Sequence, residues 1–110
     1  MAATGQGKEG PYYAVIFSSQ RTEGDNGYGR MADEMEETAA RQPGFIGIES
    51  VRDAAGAGIT ISYWESMEAI SQWKSHAAHR AAQEQGKRQW YENYEVKICR
   101  VEREYSYKKQ

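Results

Sequence analysis

The sequence predicts an α+β fold of ferredoxin-like order, β-α-β-β-α-β: a four-stranded antiparallel sheet with both helices on one face. Three observations carry that reading. Four segments rich in β-branched and aromatic residues stand between turn-forming residues. Two segments with apolar residues at helical spacing follow the first and the third of them. A length of 110 residues suits one hydrophobic core.

Residues 1–11 are small and polar up to Pro11 and read as a mobile N-terminal tail, leaving 12–110 as the domain. Tyr12–Gln20 is expected as the first strand. Tyr13, Val15, Phe17 and Ser19 share one of its faces; Ala14, Ile16, Ser18 and Gln20 share the other. Both faces are apolar at the centre, so both are expected to be covered. Asp25-Asn26-Gly27 supplies a turn. A helix over Tyr28–Arg41 then turns Met31, Met35 and Ala39 to one side. Its acidic early and middle turns, with Arg41 at the end, suit the helix dipole. Pro43-Gly44 ends it.

Phe45–Arg52 is the second expected strand, and strict alternation groups Phe45 with Gly47, Glu49 and Val51. Asp53–Gly58 is a hairpin loop and Ile59–Trp64 the third strand. Ser66 N-caps a second helix, continuous to about Gln85 and stopped by Gly86, with Met67, Ile70, Trp73 and Ala81 in its apolar stripe. Lys87–Tyr94 is short and helical or irregular. Glu95–Tyr107 is the fourth strand, and its change of phase from Val96 and Ile98 to Cys99 and Val101 suggests a bulge near Ile98-Cys99. The sheet face away from the helices is apolar too. A second copy of the same sheet is the economical cover, with Tyr91, Tyr94, Tyr105 and Tyr107 expected at that interface.

A net charge of −2 argues against nucleic acid or an anionic membrane surface as partner. No apolar run approaches membrane-span length, and the opening MAATGQGKEG lacks the apolar stretch of a signal peptide. The single cysteine, Cys99, rules out an internal disulfide and reads as a buried, inert thiol. A cytoplasmic protein is the simplest expectation.

Pro43-Gly44-Phe45, the run Tyr63-Trp64-Glu65-Ser66, Ala69, Trp73, the two histidines, Ala81-Ala82-Gln83 and Trp90-Tyr91 together resemble the antibiotic biosynthesis monooxygenase domain, a branch of the dimeric α+β barrel superfamily. The resemblance spans roughly Tyr12–Tyr107. It implies a homodimer whose two sheets close a barrel, and a pocket in each subunit between sheet and helices. Family members include cofactor-free oxygenases of polycyclic phenols and quinones, and haem-degrading oxygenases. Others are isomerases or have no assigned activity, so fold does not settle reaction. Relative to the haem-degrading members, Trp73 keeps the helix tryptophan, while the ligating histidine falls at Gln83 and the strand asparagine near Ser18. Relative to the quinone oxygenases, Trp64 keeps the strand-end tryptophan, while their asparagine and tyrosine fall at Thr60 and Ile70.

His76 and His79 are the candidate catalytic residues, because histidine is the natural general base near neutral pH and oxygenation of a phenol begins with its deprotonation. On a continuous helix Trp73, His76 and Arg80 would share one side, with His79 nearer the edge. Trp73, Trp90 and Trp64 could stack a planar aromatic ligand, Arg80 could hold the anion formed, and Gln83 adds a polar contact. As the ordinary alternative, the tryptophans are core, Arg80 is a solvated helix charge and a histidine is an exposed helix residue. No cysteine or carboxylate pair completes a metal site around the histidines, so no metal is expected. The reading is a small oxygenase of a planar aromatic or quinone-like molecule that requires no cofactor. Haem binding and degradation, or a non-catalytic ligand-binding or stress-response dimer, are the alternatives.

Overall fold

The structure, a computed structural model, describes residues 11–110 apart from the side chain of Ala77. Residues 1–10 of the expected tail lie outside the described residues. The order is β1 (Tyr12–Arg21), α1 (Tyr28–Ala40), β2 (Phe45–Arg52), β3 (Ala57–Trp64), α2 (Met67–Ser75), α3 (Ala77–Gln85), a π-helical turn (Gly86–Trp90) and β4 (Tyr91–Val101). The strands form one antiparallel sheet in the order β2-β3-β1-β4. This is the ferredoxin-like arrangement, with the second helix broken in two.

The break falls at His76. Its backbone is extended (φ −63°, ψ 135°), and its Nδ1 accepts a hydrogen bond from the Ala78 N–H at 3.3 Å. An imidazole does here what an Asn or Asp side chain does at an N-cap, satisfying a free amide of the next helix. Ser66 caps α2 as expected, its Oγ accepting from Ala69 N–H at 3.0 Å. The first turn of α1 carries no acidic residue. The dipole is met instead by Asp25, whose carboxylate accepts from the Gly27 and Gly29 amides at 3.0 and 3.1 Å.

Two strand expectations are corrected. The register shift in β2 lies between Phe45 and Gly47, so Phe45 leaves the phase of Gly47 and turns onto the helix side, edge-on to Trp64 at 5.5 Å. In β4 there is no irregularity at Ile98-Cys99, which pair in register with Val15 and Ala14. The shift sits where Gln20–Arg21 oppose Asn93 and Tyr91, and β4 starts at Tyr91 and ends at Val101. The mixed phase in the sequence marks a strand apolar on both faces.

The core lies between the sheet and α2, at one end of the sandwich. Ala39, Trp64, Ala69, Ile70 and Trp73 are buried together, with Tyr13, Val15, Met35 and Phe45 packed against them. Trp64 is 0% exposed and stacks on Trp73 at 6.2 Å, and its indole N–H donates to Ser62 Oγ at 2.9 Å. Gly44 (φ +84°) lets the chain pass close to α2: a Cβ there would lie 2.6 Å from the Ala69 Cβ. On the opposite sheet face Val51 and Ile59, paired in register, are 74% and 42% exposed.

Candidate functional site

Beyond the Trp64–Trp73 stack, α1 and α3 separate from the sheet and leave a cavity of about 270 Å³. Two cross-sheet rows form its floor. Ile48, Ser62 and Val15 lie in one; Ser50, Thr60, Phe17 and Val96 lie in the next. Met31, Met35 and Ala39 of α1 and Ile70, Trp73, His79, Ala82 and Gln83 of α2 and α3 form the roof. Tyr91 and Tyr94 close the far side. An apolar space with a few polar groups is the usual composition of a small-molecule site.

His79 is the imidazole in this wall. It is half-buried, edge-on to the Trp73 indole at 4.7 Å and 66°. Burial lowers its pKa below the ordinary 6.5, and the positive charge of Lys74 lowers it further. At neutral pH it is therefore an uncharged imidazole, able to accept a proton. His76 is also near Trp73, at 5.7 Å, but it does not line the cavity and its Nδ1 is engaged at the helix break. The two histidines do not stand on one continuous helix.

The structure divides the other expected site residues. Trp73 and Gln83 line the cavity. Trp64 lies beneath Trp73 as core. Trp90 is buried outside the cavity, where its indole N–H donates to the Asn26 carbonyl at 2.9 Å and its ring meets Tyr28 at 6.5 Å. It anchors the π turn to the loop before α1. Arg80 is exposed and faces an outer groove with Met67, Ser71, Lys74 and Ile98. Of the equivalents of the family's polar positions, Thr60, Ile70 and Gln83 line the cavity, while Ser18 faces away from it.

Several lining residues escaped the sequence reading. Tyr91 and Tyr94, assigned to an interface, instead pack on Phe17 at 5.3 and 5.2 Å within the cavity wall. The signal was present: Tyr94 is two residues before Val96 and so shares its face. Burial pushes the Tyr91 phenol well up, reinforced by the neighbouring Tyr28 phenol. The hydroxyls of Ser50 and Thr60 bond to each other across β2 and β3 and put a polar strip on the floor. Glu36 and Lys74 reach the rim, both exposed.

Haem does not fit these residues. The position of the family's iron ligand carries the Gln83 amide, a poor ligand for haem iron. Among the described residues no group of three or more His, Cys, Asp or Glu is placed to hold a metal ion, and no helix is long and apolar enough to cross a membrane.

The sequence profile described as antibiotic biosynthesis monooxygenase matches residues 11–85. The protein YqjZ of Bacillus subtilis (strain 168), itself uncharacterized, is 56% identical over 96 residues, covering 87% of this chain and 84% of that one. Among solved structures, Rv0793 from Mycobacterium tuberculosis superposes with a TM-score of 0.74 at 16% identity, over 87% of this chain and 99% of that one. SnoaB, a cofactor-independent oxygenase from Streptomyces nogalater, gives 0.66 at 11% over 89% and 97%. A putative antibiotic biosynthesis monooxygenase from Nitrosomonas europaea gives 0.68 at 14% over 83% and 90%. At such identities these structures speak for the fold, and the profile for the family. The chain belongs to the antibiotic biosynthesis monooxygenase family.

Proposed function

We propose that this protein is a small oxygenase acting on a planar aromatic or quinone-like molecule held in the cavity, with His79 as general base. One observation carries the reading: a neutral, half-buried imidazole opens onto an apolar cavity beside Trp73. His79 takes the proton of a substrate hydroxyl, and Trp73 and Phe17 flank the ring. The resulting phenolate is the electron-rich species that reacts with dioxygen: one oxygen atom enters the product, the other leaves as water, and the substrate itself is the reductant. No cofactor is part of this scheme. The cofactor-independent oxygenase SnoaB shares the fold and is in keeping with it.

A homodimer belongs to the same proposal. The outer face carries Val51, Ile59, Ile61, Ile16 and Tyr63 on neighbouring strands, and a second sheet would remove their apolar surface from water. The ratio of solution mass to chain mass tests it directly. A cytoplasmic setting accompanies the proposal, in keeping with the lone free Cys99.

The deciding experiment is oxygen consumption with a panel of polycyclic phenols and hydroquinones. His79→Ala should lower kcat/KM by about 10²–10⁴-fold on an accepted substrate, with the far-ultraviolet dichroism unchanged. Full activity in that variant would remove His79 as base. Tight binding of the panel without oxygen uptake would instead favour a sequestering role.

A further inference from the structure

Trp73 and His79 stand at one end of the cavity. Beyond the other end, two residues back along β3 from Thr60 and about 7 Å away on an extended strand, Gly58 lies just outside the lining, in the row Arg52–Gly58–Ser19–Tyr94 on the same sheet face. That row is the next beyond the polar floor strip of Ser50 and Thr60. A Cβ at residue 58 would lie 2.6 Å from the Arg52 Cζ, so the bare glycine is what allows the guanidinium to lie across the strand. Arg52 Nη2 donates to Ser19 Oγ at 2.8 Å, and Ser19 is the buried polar residue of the sheet, 8% exposed. The Arg52 Cζ is 5.6 Å from the centroid of Tyr28, and Arg21 stacks on the same ring at 3.7 Å. Tyr28 meets Tyr91 edge-on at 5.8 Å, and Tyr91 lines the cavity.

Both guanidiniums are held by neutral acceptors: Arg21 by the carbonyls of Trp90 and Gly24, Arg52 by Gly56 and Ser19. Among the described residues neither has a carboxylate within ion-pair distance; the ion pairs involve Arg30, Arg88, Lys97 and Arg100. Two half-buried guanidiniums therefore flank one tyrosine ring behind the Tyr91 wall without a carboxylate in ion-pair contact, while Asp53 and Glu95 line the open groove that Arg52 also reaches. The other charges at the cavity, Glu36 and Lys74, are exposed at its rim and screened by water.

We infer that the ligand is an aromatic anion that spans the cavity, with a carboxylate or enolate at the Tyr91 end in the field of Arg52 and Arg21, and its hydroxyl at His79. This rests on the reading of His79 as base and adds the substrate class and its orientation. Arg52 and Arg21 act as positioning residues: a fixed charge in a half-buried setting favours the ionised group without touching the reacting atoms. Tyr91 stays protonated and is the nearer donor to that group.

The test uses 6-hydroxy-2-naphthoate, its methyl ester and 2-naphthol, titrated against the whole protein at pH 7 and low salt with tryptophan fluorescence as readout. The carboxylate is expected to bind at least about tenfold more tightly than the ester or 2-naphthol, with the preference shrinking as salt is raised. Arg52→Gln should bring the carboxylate down to the affinity of 2-naphthol, and Arg52→Lys should restore part of the difference. The wild-type comparison and its salt dependence need no variant, so a poorly folded Arg52→Gln does not stall the test. Equal binding of carboxylate and ester to wild type would overturn the anionic end while leaving His79 and the cavity standing. So would a preference abolished by Lys74→Ala and kept in Arg52→Gln. Binding of none of the three probes at millimolar concentration would overturn both this inference and the proposed function.

Discussion

The His79 imidazole stands edge-on to the Trp73 indole, 4.7 Å between centroids, with one side packed and the other open to the cavity. Packing against an indole removes water from the ring, and Lys74 adds like charge, so protonation is disfavoured from both causes. Glu36 also reaches the cavity, from the exposed rim. In the proposed reaction the active form of the base is the neutral one. Activity should be level from pH 7 to 8 and fall only below the ordinary 6.5, along the protonation curve of His79. A kcat/KM profile on an accepted substrate checks this, and a fall centred above 6.5 would contradict it. Stability carries the same sign: it is full above 6.5 and is lost as pH falls toward the lowered folded-state pKa, because the unfolded chain binds that proton more readily.

His76 should separate cleanly from His79. Its ring caps α3, so His76→Ala should cost about 0.5–2 kcal/mol of stability with kcat within a few-fold of wild type. His76→Asn, which offers an acceptor at the same point, should recover most of that loss. Urea melts of the two variants beside the wild type decide it.

Gly44 and Gly27 share a left-handed backbone, φ +84° and +85°, but differ in surroundings. Alanine at residue 27 meets nothing within 4 Å, so Gly27→Ala should cost about 1 kcal/mol of backbone strain. Alanine at residue 44 would meet Ala69 as well, so Gly44→Ala should cost about 2–4 kcal/mol. The midpoints of denaturation should differ accordingly, with equal m-values.

The Tyr63 phenol, on the face away from the helices, is pushed up to about 12, first by burial and then by its 2.8 Å hydrogen bond to Glu49 and that carboxylate's charge. Glu49→Gln should bring it down while leaving it above 10, because burial remains. Ultraviolet titration of tyrosinate gives the value directly. The stability tied to the neutral phenol is present below pH 10 and is lost as pH rises toward 12.

Strands, turns and helices were legible in the sequence because each rests on local chemistry. Alternation put Val15 and Phe17 on one face, which the structure turns toward the helices, and Ser66 announced its helix. The failures share a cause. A histidine is read as a helix residue until its ring is seen to satisfy an amide, and the His76 break then moves Arg80 out of any shared site with Trp73. A bulge is silent in composition, so Phe45 was assigned to the wrong face and the β4 irregularity to the wrong residues. Tyr94 was assigned by residue type where phase would have placed it, and Tyr91 reaches the cavity only through the register shift at Gln20–Arg21.

By itself the sequence determined the order of strands and helical regions, the alternation within most strands and the family, because hydrophobic period and turn chemistry act over a few residues at a time. The tertiary structure alone decided which of two histidines opens onto a cavity, that Trp64 and Trp90 are anchors where Trp73 is a wall, and that Arg21 and Arg52, distant in sequence, share one tyrosine ring. Those are relations across strands and helices, set by register and by where one backbone turn breaks, and residue spacing along the chain does not encode them.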